Sequence, residues 1–339
     1  MTVTLLDIGD MSIRLWQEGE LVCDSPSVAH SNRANLTFGK QALAKSRSEP
    51  QGLYSRHWST IDTAPLGRAT KTARHHADLV YRHLAELQKQ YSPIDDLIIM
   101  VPSGLNTKQL SLLLGITQSL SFNVVGLVDS AVANVACIPS NASVNQFIEL
   151  GSFRTTVAKV LRNGRATFES LQSIESVGQD YLTKLCLDWV ADCFLDQARF
   201  DPLQQAETEQ LIFDHLESWL GALDSAPNIN VEIQHLERRH SVSLSRNALL
   251  EKLHPTIELL TETIDPKYPV VLSYRFNLLP SALFNRLADK TAVIRTNSND
   301  AFIAVEQQLE DVLCAPEEIV FTRQLAINPT TSREQADGS

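Results

Sequence analysis

Asp7 and Glu149 hold matching places in two segments about 140 residues apart, TLLDIGDMSIRLW (4–16) and QFIELGSFRTTVAKVL (146–161). Each reads as a strand bearing a carboxylate, then a glycine (Gly9 or Gly151), then polar residues and a second strand. Such a strand–turn–strand pair can face a phosphate with backbone N–H groups, or a hydrated metal ion with its carboxylate. Its duplication predicts two related lobes around a cleft. Other chemistry-bearing patterns are sparse. His75, His76 and His83 share a predicted helix, but no carboxylate or thiol completes a ligand set one turn on, so a solvated face is expected. The sequence has no Gly-x-Ser-x-Gly, no Walker-type lysine loop and no paired acidic motif of hydrolase type. Cys23, Cys137, Cys186, Cys193 and Cys314 lack metal or redox spacing and read as reduced thiols of a cytoplasmic protein.

The elements that must position Asp7 and Glu149 follow from periodicity. A meander over 3–7, 12–17 and 20–24 is punctuated by Gly9 and Gly19. Residues 39–66 are polar and poorly periodic. A helix is expected over 68–91, where Ala73, Leu79, Val80, His83, Leu84 and Leu87 fall near one face. A strand (95–101), a helix (106–120), a strand (123–128) and a helix (129–137) follow, the β-α-β-α order of a mostly parallel sheet with helical cover. Beyond a proline-opened polar segment, 139–145, the meander recurs over 146–150, 155–161 and 166–171. Helices over 178–200 and 207–223 precede a two-stranded piece, 230–234 with 240–244. Ser245 can cap a helix running to 264, which Pro255 is expected to kink. A strand at 270–273, a helix at 280–287, a strand at 292–295 and a last long helix at 300–313 complete the pattern. Residues 318–325 alternate as a strand that could pair at a sheet edge of a partner or a second copy. The tail, 328–339, is expected to be disordered.

The expected fold class is thus α/β, with mixed sheets flanked by helices in two lobes. Lobe I spans 1–145 with a reduced outer subdomain at about 25–70, and lobe II spans 146–327 with an outer helical and β subdomain at about 196–266. At 339 residues, 43% apolar and 20% charged, the chain can build a core in each lobe. A net charge of −11 argues against nucleic acid or an anionic membrane as partner. The apolar runs are strand-length, and no basic n-region opens a hydrophobic stretch, so a cytoplasmic location is expected.

Several motifs occur in a recognisable order: IIMVPSGLNTKQLSLLLGITQSLSFNVVGLVDSAVANVA (98–136), SVGQDYLTKLCLDW (176–189), PVVLSYRFNLLPSALFNRL (269–287) and NSNDAFIAVEQQLE (297–310). In these the chain resembles the actin-like ATPase superfamily, and within it the nucleotide-binding domain of the seventy-kilodalton heat-shock chaperones, over most of residues 1–313. The resemblance implies two ribonuclease-H-like lobes with ATP or ADP and Mg²⁺ in the central cleft. It sets Asp7, Asp129 and Glu149 at catalytic carboxylate positions, with Asp7 and Glu149 holding the metal through water. It sets Gly9, Ser12, Gly151, Ser152, Arg154, Gly178, Tyr274 and Arg275 at cofactor positions. Arg56 and Lys71 are the only candidates for the family's catalytic lysine.

The residues also depart from that pattern. Asp10 and Met11 replace small polar residues in the first turn, and a carboxylate about 4 Å from a phosphate charge costs around 4 kcal/mol at an effective dielectric of 20. In the second turn Phe153 and Arg154 replace glycines, and left-handed conformations would cost each about 1–2 kcal/mol. Tyr274 and Arg275 stand where the family has consecutive glycines under the base. The expected function is therefore a non-catalytic or weakly nucleotide-binding regulatory protein with a protein partner, or with a second copy of itself. No peptide-binding domain is expected after Leu313. The alternative is an active Mg²⁺-dependent ATPase with a diverged pocket, in which Arg154 replaces lost backbone donors at the phosphates.

Overall fold

A computed structural model describes residues 3–32, 35–68, 70–314 and 318–327. The chain opens with β1 (Val3–Ile8), β2 (Ser12–Gln17) and β3 (Glu20–Pro26), the expected meander. The polar stretch that follows folds into a small three-stranded sheet, β4 (Ala29–Asn32), β5 (Asn35–Phe38) and β6 (Leu53–Tyr54), with α1 (Gly39–Leu43) inserted and α2 (His57–Thr60) beyond it. Then come α3 (His76–Tyr91), β7 (Asp96–Val101), α4 (Thr107–Ser119), β8 (Asn123–Asp129) and α5 (Ser130–Ala136). The second half repeats the meander as β9 (Val144–Leu150), β10 (Thr155–Arg162) and β11 (Arg165–Ile174). Its outer elements are α6 (Gln179–Ala198), α7 (Ala206–Ser225), the hairpin β12 (Asn228–His235) and β13 (Arg238–Ser245), and α8 (Arg246–Thr263). The chain closes with β14 (Val270–Leu272), α9 (Asn285–Ala288), β15 (Val293–Arg295), α10 (Asp300–Glu306), α11 (Leu309–Val312), β16 (Phe321–Thr322) and β17 (Gln324–Ala326).

The two large sheets share a five-strand order, and the sixth strand is added at opposite ends. The first runs β3-β2-β1-β7-β8-β16 and the second β17-β11-β10-β9-β14-β15. In each, an antiparallel meander is extended from its first strand by two parallel strands, β7 and β8 or β14 and β15. β16 then adds a third parallel strand to the first sheet, whereas β17 adds antiparallel to the far side of the second meander. The duplication legible in the two turns thus extends to the topology. The strands explain their own burial. β7 reads DLIIMV and is buried along its whole length, as a central parallel strand covered on both faces must be. Leu6 and Ile8 pack with Val80, Leu84, Leu113 and Ile116 of α3 and α4. Leu5 lies on the opposite face, with Val132 and Val135 of α5 and Phe302 of α10, as period-two alternation dictates. That second cluster also takes Phe147, Val160 and Val271, so one apolar core joins the bases of both sheets.

Four local expectations are corrected. The helix expected from 68 begins at His76, because the backbone N–H groups of Arg74 and His75 donate to Asp78 Oδ2 at 2.7 and 3.1 Å and close an N-terminal cap there. Ser245 takes the N-cap position of α8 without the expected side-chain hydrogen bond, while α8 runs through Pro255 to Thr263, close to the expected end. The last long helix is broken into α10 and α11. The second piece is pressed onto β8, where a Cβ on Gly126 would lie 2.7 Å from the Val312 carbonyl oxygen. The strand expected over 318–325 is two short strands that pair within the chain. β16 joins β8 and β17 joins β11, so this segment crosses from one large sheet to the other. The tail, 328–339, lies outside the described residues.

Candidate functional site

The two glycine turns face each other between the sheets, and the space bordered by them is the candidate site. Asp7, Gly9, Asp10 and Arg14 approach from the first half, and Glu149, Gly151, Arg154, Tyr274 and Arg275 from the second. Ser103, Gly104, Ser130 and Asn134 also border it. The cavity left between them is ≈ 100 Å³, against the ~300–1,000 Å³ typical of small-molecule sites.

Side chains of the protein itself take up the rest. Arg275 follows β14, whose register beside β9 brings it against Glu149. It is 6% exposed, its Nε donates to Glu149 Oε1 at 2.8 Å, and its Nη1 donates to Ser12 Oγ at 3.3 Å on the opposite turn. A Cβ on Gly9 would lie 2.9 Å from Arg275 Nη2. Arg14, on β2, is 1% exposed and sits with Nη1 3.5 Å from Asp7 Oδ2 while Nη2 donates to the Ser298 carbonyl. Its guanidinium lies 4.5 Å from the Tyr274 ring centroid and 4.7 Å from that of Phe302. Asp10 reaches the second turn. Its Oδ1 accepts the Ser152 N–H at 3.0 Å, and its carbonyl accepts the Ser152 hydroxyl at 2.7 Å.

The site therefore holds carboxylates of Asp7, Asp10 and Glu149 against guanidiniums of Arg14 and Arg275. Burial raises the pKa of all three acids, with the arginines opposing at Asp7 and Glu149 and the Ser152 N–H at Asp10. Glu149 is pushed up to about 7. Burial works against the Arg275 charge, yet Tyr274, Glu149, Asp7 and Asp10 hold its pKa above the ordinary arginine value. Among the described residues no group of three or more His, Cys, Asp or Glu side chains is arranged to hold a metal ion.

Asp129 sits apart from this set. Its Oδ1 accepts the N–H groups of Ala131 and Val132 at 3.0 and 3.3 Å, capping α5, and the Ser103 hydroxyl at 2.6 Å. Arg323, between β16 and β17, donates to Asp129 Oδ2 at 3.2 Å and to the Ser103 carbonyl at 3.2 Å. Asp129 is 0% exposed and fully engaged in these structural contacts.

The second turn is not strained in the way its sequence suggests. None of residues 151–154 has a positive φ. Phe153 does not border the cavity; its ring packs under Arg56, whose guanidinium lies 4.0 Å from the centroid. Arg154 does border the cavity and pairs with Glu175 at 3.6 Å. Gly178 is demanded by close approach, since a Cβ there would lie 2.4 Å from the Phe153 carbonyl carbon. The amides of Gln179 and Asp180 then donate to the Gly151 and Ser152 carbonyls at 2.8 and 2.9 Å, so these N–H groups at the start of α6 are spent on the turn. Lys71 is exposed. His83 is 1% exposed rather than solvated, accepting from Trp58 Nε1 at 3.2 Å and bonding Ser25 Oγ at 3.1 Å.

Sequence reasoning passed over Asp10 as a ligand of the second turn, and over Arg14, Ser298 and Arg323 altogether. Arg14 carried a usable signal: a charge flanked by Ile13 and Leu15 in a strand with no polar face must be buried and therefore paired. Comparison with known families and with curated proteins finds no match to this chain. No helix among the described residues is long and apolar enough to cross a membrane.

Proposed function

We propose that this chain has the actin-like, two-lobed fold it resembles and acts as a non-catalytic binding or regulatory protein rather than through ATP turnover. The observation that carries this reading is the Arg275–Glu149 pair at 2.8 Å, which puts a buried guanidinium against a carboxylate that a hydrated Mg²⁺ would need. Asp10 supports it, because its carboxylate occupies the Ser152 N–H that an incoming phosphate would take. The repeated strand order of the two sheets favours the fold assignment. A protein partner, or a second copy of the chain, is the expected ligand, and neither ATP nor Mg²⁺ is required.

A second reading, an ATPase with a diverged pocket, draws on one observation: Asp7, Glu149 and Arg154 all border the remaining cavity. A thermal-shift titration with ATP and Mg²⁺ separates the two. A ligand that binds only the folded state adds about 2.7 kcal/mol of stability at a hundred times its Kd. The regulatory reading expects no shift at millimolar nucleotide. A shift that Asp7→Ala abolishes overturns it.

A further inference from the structure

Contacts between the two halves are not confined to the glycine turns. They recur at three depths, each built from different residues. At the base the halves share the apolar core around Val132, Phe147 and Phe302, and the crossing segment pairs with both sheets. At mid-depth Asp10 holds Ser152, Arg275 holds Ser12, and Arg14 holds Ser298. At the mouth, Gln210 of α7 accepts the Arg47 backbone N–H at 2.8 Å, and its side-chain amide donates to the Leu43 carbonyl at 3.4 Å. Arg47 there sits 3.7 Å from Glu209 and 4.9 Å from the Phe213 ring centroid.

The base cannot part without exposing a core, so it is the natural hinge, and the polar contacts above it decide whether the cleft stands open. Their chemistry suits that task. Asp10 presents an anion to a backbone N–H of the second turn, and Arg275 presents a cation to Glu149 and to the first turn, so each turn meets its counter-charge from within the chain. We propose that Asp10, Arg275 and the Arg47–Gln210 contact form a built-in clamp that holds the cleft shut without any ligand. The halves then present one fixed composite surface in every nucleotide or ionic condition. The clamp deepens the regulatory reading above, but its test is independent of nucleotide affinity.

The test is a distance distribution across the mouth, measured by double electron–electron resonance between noncanonical spin-labelled residues at the exposed positions Lys40 and Glu217. In the full-length protein without nucleotide the clamp gives one narrow, short distance that Mg²⁺ and ATP leave unchanged. Arg47→Ala with Gln210→Ala broadens it, and Asp10→Ala with Arg275→Met broadens it further. Amide exchange in the 43–50 segment rises by roughly tenfold or more in the mouth variant, as expected when a local opening becomes easier. Circular dichroism establishes that each variant is folded, and Arg47→Ala alone, at a partly exposed arginine, serves if a variant at buried Gln210 or Arg275 unfolds. A broad or long distribution in the unliganded wild type overturns the clamp, as does a wild-type distribution in the folded mouth variant. Nucleotide binding to an already closed wild type would overturn the regulatory reading and leave the clamp standing.

Discussion

Ser152 and Asp10 bond each other twice: the Ser152 N–H donates to Asp10 Oδ1 at 3.0 Å, and the Ser152 hydroxyl donates to the Asp10 carbonyl at 2.7 Å. One turn of the duplicated pair thereby supplies the anion that the other turn is shaped to receive. A Cβ on Gly151 would lie 2.8 Å from the Arg154 carbonyl oxygen and 3.1 Å from both Asp10 carboxylate oxygens, so the turn's own backbone demands the glycine and Asp10 crowds it further. Relief of the second turn alone should therefore not open the pocket. Phe153→Gly with Arg154→Thr is expected to leave Mg·ATP affinity undetectable by equilibrium dialysis, whereas adding Asp10→Ser and Arg275→Gly is expected to create measurable binding.

Arg275→Met strands Glu149 beside Asp7 and Asp10 in a site that excludes most solvent. Removing one partner of a buried pair costs about 3–5 kcal/mol, and urea denaturation should register a loss of that order. Glu149→Gln in the same chain should recover part of it. A double-mutant cycle with no coupling between the two positions would contradict the pairing.

Glu149 also sets a pH dependence. Its folded pKa, pushed up to about 7 by burial, lies above the unfolded carboxyl value of 4.5, so the folded state binds the extra proton between those limits. Its contribution to stability therefore falls as pH rises from 4.5 to 7 and is lowest above 7. Glu149→Gln removes that fall. Relative to wild type the variant should gain on the order of 3 kcal/mol across the window, read from denaturation curves at each pH.

His83 works in the opposite direction. Burial lowers its pKa to about 3, so the unfolded chain takes up the proton first, and stability falls as pH drops from 6.5 toward 3. With Nδ1 accepting from Trp58, its Nε2–H donates to Ser25 Oγ. His83→Leu should cost about 1–3 kcal/mol at neutral pH by orphaning those groups and should flatten the acid limb of the stability profile.

Asp129 gives a fourth case. As cap of α5 and partner of Arg323, it should be needed for stability even where no nucleotide is bound. Asp129→Ala is expected to lose about 3 kcal/mol and to raise amide exchange in the crossing segment around 321–326. Unchanged exchange there would mean that Arg323 does not depend on Asp129.

Much of the architecture was legible because alternation and glycine punctuation act locally. The meanders at 3–26 and 144–174 follow from residues that neighbour each other in the chain, and so does the buried run Asp96–Val101. The destination of 318–325 was not legible, since its partners β8 and β11 lie far away in sequence and belong to different sheets. Which side chain meets the second turn was not legible. Phe153 looked obstructive by size, yet a side chain's direction depends on its neighbours, and Arg56 draws it away. The bonds of Asp10 to Ser152 and of Arg14 to Ser298 were not legible because they form only after the two halves meet.

Isothermal titration of Mg·ATP into the wild-type protein tests the central claim most directly, with the Asp7→Ala variant alongside. The account predicts no saturable heat from either protein at millimolar nucleotide. A one-to-one isotherm from the wild type that Asp7→Ala removes would contradict it.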